Sequence, residues 1–172
     1  MKRALAVLAY LFTIVAANWL TARYGFVPVG FGLAATAGTY AAGAAFVARD
    51  AVQDTAGRAV TLVVLAVGGV LSWFLATPAL AIASTAAFAV SELADMAVYT
   101  PLRKRGYVRA ALASNVVGSV IDTLLFLWLA GFGLALTVVG GQLVGKLWIT
   151  VLVVGVVIGR ALLRNRLRAQ SV

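Results

Sequence analysis

The chain has 172 residues, 63% of them hydrophobic and 11% charged, with a mean hydropathy of +1.04; soluble domains run at about 45–50% apolar and 25% charged, so nothing here could cover a water-soluble core. It contains no Cys and no His, which excludes disulfides, thiolate chemistry, His–metal sites and His acid–base catalysis. The formal net charge is +9, from 14 basic and 5 acidic residues, but the basic residues lie in short clusters between apolar runs, the pattern of membrane topology signals rather than of nucleic-acid binding.

A helix rises about 1.5 Å per residue and crosses roughly 30 Å of hydrocarbon in about 20 residues. Six segments meet that length. The first, residues 4–22, follows Lys2 and Arg3 and runs on through Asn18 and Trp19 to Arg23 without a small-residue cleavage site, so it reads as a retained span and not a signal peptide. Tyr24, Gly25, Phe26 and Pro28 then predict an interfacial turn. The second span covers 32–48, with a start as early as 27, and its small residues Gly38, Ala41, Ala42, Gly43, Ala44 and Ala45 allow close helix approach. Residues 49–58 read as a polar cytoplasmic loop. The third and fourth spans, 59–77 and 79–99, form a tight hairpin at Pro78, and the fourth closes on Thr100-Pro101-Leu102 and the cluster Arg103-Lys104-Arg105. The fifth covers 108–130, Gly131-Phe132-Gly133 turns the chain, and the sixth covers 136–162 ahead of Arg164, Arg166 and Arg168.

The expected fold is therefore an all-α membrane protein, a bundle of six transmembrane helices in one domain (1–163) with a basic cytoplasmic tail (164–172). With both termini cytoplasmic, the inner loops and ends hold twelve basic residues and the outer loops only Arg23, a strong positive-inside bias; Lys146 lies within the sixth span. The lipid bilayer is the first partner this composition demands.

An ionisable group at mid-bilayer costs at least about 2.5–3.5 kcal/mol, so each should face the bundle interior and have a partner. Taking span midpoints near Val90, Val120 and Ile149, Glu92 falls just inside the midplane, Asp95 shares its depth with Ser114 and Asn115, and Asp122 meets the depth of Lys146. Glu92 and Asp95 are three apart and Asn115 and Asp122 seven apart, so each pair shares a helix face. Asp122 with Lys146 could be a purely structural ion pair, but three carboxylates against one lysine leave negative charge for a ligand or proton. Ser91 adjoins this set. Asn18 and Gln142 extend a polar column toward the exterior or serve as packing contacts, and Trp19 and Phe126 are the aromatics available to stack on a flat ligand. Asp50 and Asp54, flanked by Arg49 and Arg58, read as local ion pairs in a solvated loop. No metal-ligand set or cofactor motif is apparent, and a Ser without His or another base gives no enzyme signature.

Five patterns together resemble the queuosine precursor transporter family, also called the vitamin uptake transporter family. They are Asp50-x-x-x-Asp54-x-x-Gly57, Ser91-Glu92-x-x-Asp95, Thr100-Pro101-Leu102, Asn115-x-x-Gly118-x-x-x-Asp122 and Gln142-x-x-x-Lys146. The resemblance covers nearly the whole chain; at Asp54 the family more often carries Glu followed by Tyr-Gly, where this chain has Asp54-Thr55-Ala56-Gly57. It implies a multi-pass protein of the bacterial cytoplasmic membrane, a non-enzyme without cofactor, that takes up 7-deazaguanine precursors of queuosine, preQ0 or preQ1. In that reading Glu92 or Asp95 accepts from the N–H edge of the base, Asn115 meets its carbonyl, and Asp122 with Lys146 forms a proton- or substrate-coupled pair. So short a chain is compatible with a homodimer. The competing readings are a substrate-binding subunit of an energised vitamin uptake system, and a structural membrane protein with a buried ion pair.

Overall fold

The computed structural model describes residues 2–169, with the side chains of residues 2–153, 155, 156 and 159. Among the described residues there are six α-helices: α1 (Lys2–Tyr24), α2 (Thr39–Ala56), α3 (Arg58–Leu75), α4 (Pro78–Leu102), α5 (Tyr107–Leu129) and α6 (Leu136–Ala169). A 3₁₀ turn, Arg103–Arg105, follows α4. Five of the helices, all but α2, are long and apolar enough to cross a membrane. α4 and α5 form the most extensive pair, α1 lies against α2 and α3, and α6 packs on α2 and α5.

The bundle carries its buried polar groups inside, among apolar core clusters, and is apolar outside. On α5 the buried residues Ala110, Ala111, Ser114, Asn115, Gly118, Ser119, Asp122, Thr123, Phe126 and Leu127 form one continuous helical stripe. Val116, Val120, Leu124 and Trp128 stand exposed on the other side of the same helix, as lipid contact requires. On α1 the inward stripe is Ala6, Tyr10, Ile14 and Asn18, with Thr21 one turn further on. Pro78 at the first turn of α4 and the Thr77 side chain accepting from the Leu80 amide fix the α3–α4 corner.

Two sequence expectations are corrected. The interfacial turn near Pro28 is a two-stranded antiparallel hairpin, β1 (Phe26–Gly30) and β2 (Leu33–Thr36), with Val27 opposite Ala35 and Pro28 opposite Ala34. Gly30 and Gly32 take φ of 96° and 71° and carry Phe31 with them at φ 55°, a turn that only glycine-flanked backbone adopts cheaply. The hairpin packs on α6, where Gly141 lets the helix backbone meet that of Ala34. The fold is thus the expected bundle of six helices with a small β hairpin added.

The second correction concerns residues 49–58. α2 starts at Thr39, not near residue 32, and continues through Arg49, Asp50 and Asp54 to Ala56, so no loop exists there; the break is confined to Gly57, at φ 85°. With Arg49 fully buried, eleven rather than twelve basic residues remain on the side expected to be cytoplasmic. At the other end, α6 runs on through residues 164–169 of the expected tail, and residues 170–172 of that tail lie outside the described residues.

Candidate functional site: an ion-paired cavity beside a carboxylate cage

Between the hairpin end of the bundle and its middle lies a cavity, partly open to its surroundings. Its wall takes Asn18 and Thr21 from α1, Thr36 from β2, Thr39 and Ala42 from α2, Thr85 and Phe88 from α4, Asp122 and Phe126 from α5, and Gln142 and Lys146 from α6. The polar groups are held in place by one another. The Asn18 amide donates to Ser72 Oγ at 3.0 Å, and Gln142 Nε2 donates to Thr36 Oγ1 at 3.0 Å while its Oε1 accepts from Thr39.

Lys146 and Asp122 form the ion pair that equal depth predicts, Nζ to Oδ2 at 2.6 Å, with side chains 2% and 8% exposed. The remaining ammonium donors reach Thr123 Oγ1 at 2.8 Å and the Ser119 carbonyl at 3.4 Å. All three Lys donors are thereby used on α5, which holds the long side chain across the α5–α6 interface. The pair is set by close helix approach as well. A Cβ at Gly43 on α2 would stand 2.9 Å from the Cα and the carbonyl oxygen of Lys146, and backbone cannot give way as a side-chain tip can. Gly43→Val should therefore push α2 off α6 and cost about 1–3 kcal/mol, read as a lowered melting temperature of the detergent-solubilised protein.

Glu92 and Asp95 do not join that pair, and neither lines the cavity. They converge instead on Arg49, which divides its guanidinium among three carboxylates: Nε to Glu92 Oε2 at 2.8 Å, Nη1 to Asp50 Oδ1 at 2.8 Å, and Nη2 to Asp95. All four side chains are completely buried. The Arg49 guanidinium also stands 5.5 Å from the centre of the Tyr99 ring, a cation–π distance. This cage corrects the reading of Arg49 and Asp50 as a solvated loop. It also supplies the second intramembrane cation that the sequence reading missed.

The stacked pair Phe46 and Phe88, 5.3 Å apart and 26° from parallel, connects the two sites. Phe88 faces the cavity, Phe46 lies 6.0 Å from Lys146 Nζ, and a Cβ on Gly118 would meet both Phe46 and Asp95. Asn115, one turn from Gly118 on the same face of α5, is 1% exposed, and neither of its amide atoms has a partner among the described residues.

Other sequence candidates fall elsewhere. Asp54 leaves the cage: its Oδ2 accepts from Nε and Nη2 of Arg103 at 3.0 and 2.9 Å, and its Oδ1 from the Tyr99 hydroxyl at 3.0 Å, tying the end of α2 to the last turn of α4 and the 3₁₀ turn after it. Gly57 makes the break that turns α2 into α3. Ser91 is buried but donates to the Phe88 carbonyl of its own helix at 2.9 Å, a local contact. Trp19 is 45% exposed and packs edge-on to Tyr24, on an apolar outer groove with Phe12, Val15 and Leu75. It is a lipid-facing residue rather than a stacking platform. Phe126 does line the cavity, and it continues through edge-on contacts to Phe132 and Phe26 of the hairpin.

Residues 4–159 match a family described as "Putative vitamin uptake transporter". No curated protein and no solved structure matches the chain.

Proposed function

The chain belongs to the vitamin uptake transporter family, and we propose that this multi-pass membrane protein takes up a small flat heterocycle, a 7-deazaguanine of the preQ0 or preQ1 type, through the Asp122 cavity. One observation carries the reading: a buried ion pair forms part of the wall of a cavity that otherwise offers amides, hydroxyls and two phenyl rings. The guanine-like edge of such a base presents two N–H donors to a carboxylate, for which Asp122 is the acceptor within the cavity. Gln142 Nε2, which spends one of its two N–H groups on Thr36, supplies a donor for the ring carbonyl, and Phe88 and Phe126 supply apolar faces for the ring.

The two aromatic contacts suit alternating access. With the termini cytoplasmic, the Phe26–Phe132–Phe126 chain lies toward the exterior and the Phe46–Phe88 stack toward the interior. Loosening one while the other stays packed exposes the cavity to one side at a time. The test is ligand-dependent thermal stabilisation of the purified chain by preQ0, preQ1, guanine and a set of common vitamins. A deazaguanine at 100 times its Kd should add about 2.7 kcal/mol of stability; stabilisation by an unrelated vitamin and by none of the deazaguanines would move the substrate assignment elsewhere.

A further inference from the structure

Resting on that carrier reading, we infer that the Arg49 cage is a proton-binding site, with Glu92 as the carboxylate that takes up and releases the proton coupled to solute movement. The charge balance is the first ground. One guanidinium faces Asp50, Glu92 and Asp95, all completely buried, so full ionisation leaves a formal surplus of two negative charges away from water. Such a surplus is relieved by protonation or by a bound cation. Among the described residues no group of three or more acidic side chains is arranged to hold a metal ion.

The second ground is independent of the carboxylates. Two further polar side chains from other helices are buried here: the Tyr10 hydroxyl from α1, within hydrogen-bonding reach of Glu92, and the Asn115 amide from α5, on the helix face that meets Asp95 at Gly118 and without a partner among the described residues. Buried polar groups are nearly always hydrogen-bonded. A hydroxyl able to donate to a carboxylate, or to accept from a carboxylic acid, is what a site that alternates between the two states requires.

The charged and titratable groups facing Glu92 are Arg49 and Asp50 on α2, Asp95 on its own helix with Tyr99 one turn beyond, Tyr10 on α1, and Asp122 on α5. Asp122 is the link to the cavity. α2 and α4 carry both sites as well, Thr39 and Ala42 above Arg49 on one helix and Thr85 and Phe88 above Glu92 on the other. A shift of α2 against α4 that opens the Phe46–Phe88 stack therefore also pulls Arg49 from Glu92. In the step itself a proton from one side forms an O–H bond to the Glu92 carboxylate, and the same bond breaks to release it to the other side; no redox partner is involved.

Two measurements on the full chain test this. Infrared difference spectra should show a protonated carboxylic acid carbonyl stretch that Glu92→Gln removes. Proteoliposomes containing only this chain, with preQ0 as an uncharged probe, should exchange preQ0 at equal pH and accumulate it when the outside is acidic, by up to about tenfold per pH unit for one proton. Glu92→Gln should keep exchange within about twofold and lose the acid-driven accumulation, with Glu92→Met as the second variant should Glu92→Gln fold poorly. An unchanged carbonyl band in the variants, or exchange without pH-driven accumulation in the unaltered protein, overturns the proton site. Absence of preQ0 exchange alongside a Glu92-dependent band instead overturns the carrier reading.

Discussion

Arg49→Met is expected to cost the folded protein about 3–5 kcal/mol, because it leaves Asp50, Glu92 and Asp95 buried together without a cation. Most single substitutions cost about 1 kcal/mol, so this one should stand out as a near-complete loss of folded material after detergent extraction. Volume is not the cause, since Met fills much of the space of the Arg stem. Charge is the cause, and it can be separated. Arg49→Met combined with Glu92→Gln and Asp95→Asn should recover a large part of the loss in a thermal melt, as replacing a whole buried ionic set often does. Arg49→Lys should recover little, because a single ammonium cannot present three separately directed nitrogen donors. Equal melting temperatures for Arg49→Met with and without the two added substitutions would show that the cage is held by packing instead.

The second large effect is expected at the cavity. Lys146→Met leaves Asp122 unpaired at 8% side-chain exposure and should cost about 3–5 kcal/mol. Asp122→Asn should cost less, because the ammonium keeps Thr123 Oγ1 and the Ser119 carbonyl. The double substitution should regain stability relative to Lys146→Met, giving a coupling energy of about 0.5–3 kcal/mol in a double-mutant cycle. Stability and binding should then part company. The double variant, though folded, should lose deazaguanine-induced stabilisation, because Asp122 is the carboxylate of the cavity wall. A stable double variant that still binds would assign the pair a structural role only.

The ion pair of Asp122 with Lys146 could be read from the sequence because helical rise is uniform, so depth follows from counting along two spans. The inward direction of Asn18 was also legible: Ala6, Tyr10, Ile14 and Asn18 recur every four residues, and the same periodicity turns Trp19 about 100° away, toward lipid. Arg49 escaped notice for a definite reason. The run from Arg49 to Arg58 carries two arginines and two aspartates and lies where a loop is needed, and its partners Glu92 and Asp95 are more than forty residues away. Two signals pointed the other way. No glycine or proline interrupts the chain from Gly43 until Gly57, and three intramembrane carboxylates against one lysine already demanded another cation. The hairpin was half-visible, since Pro28 and the flanking glycines marked a turn, but strands of five and four residues are too short for alternation to separate them from the start of a helix.

The central claim is that a flat base binds in the Asp122 cavity, and equilibrium binding of preQ0 and preQ1 to the purified chain tests it most directly. The account predicts saturable binding that weakens at least tenfold, about 1.4 kcal/mol, in Asp122→Asn and in Gln142→Leu, while the outward-facing Trp19→Leu leaves it unchanged. Binding of equal strength in Asp122→Asn, or its loss in Trp19→Leu alone, would contradict it.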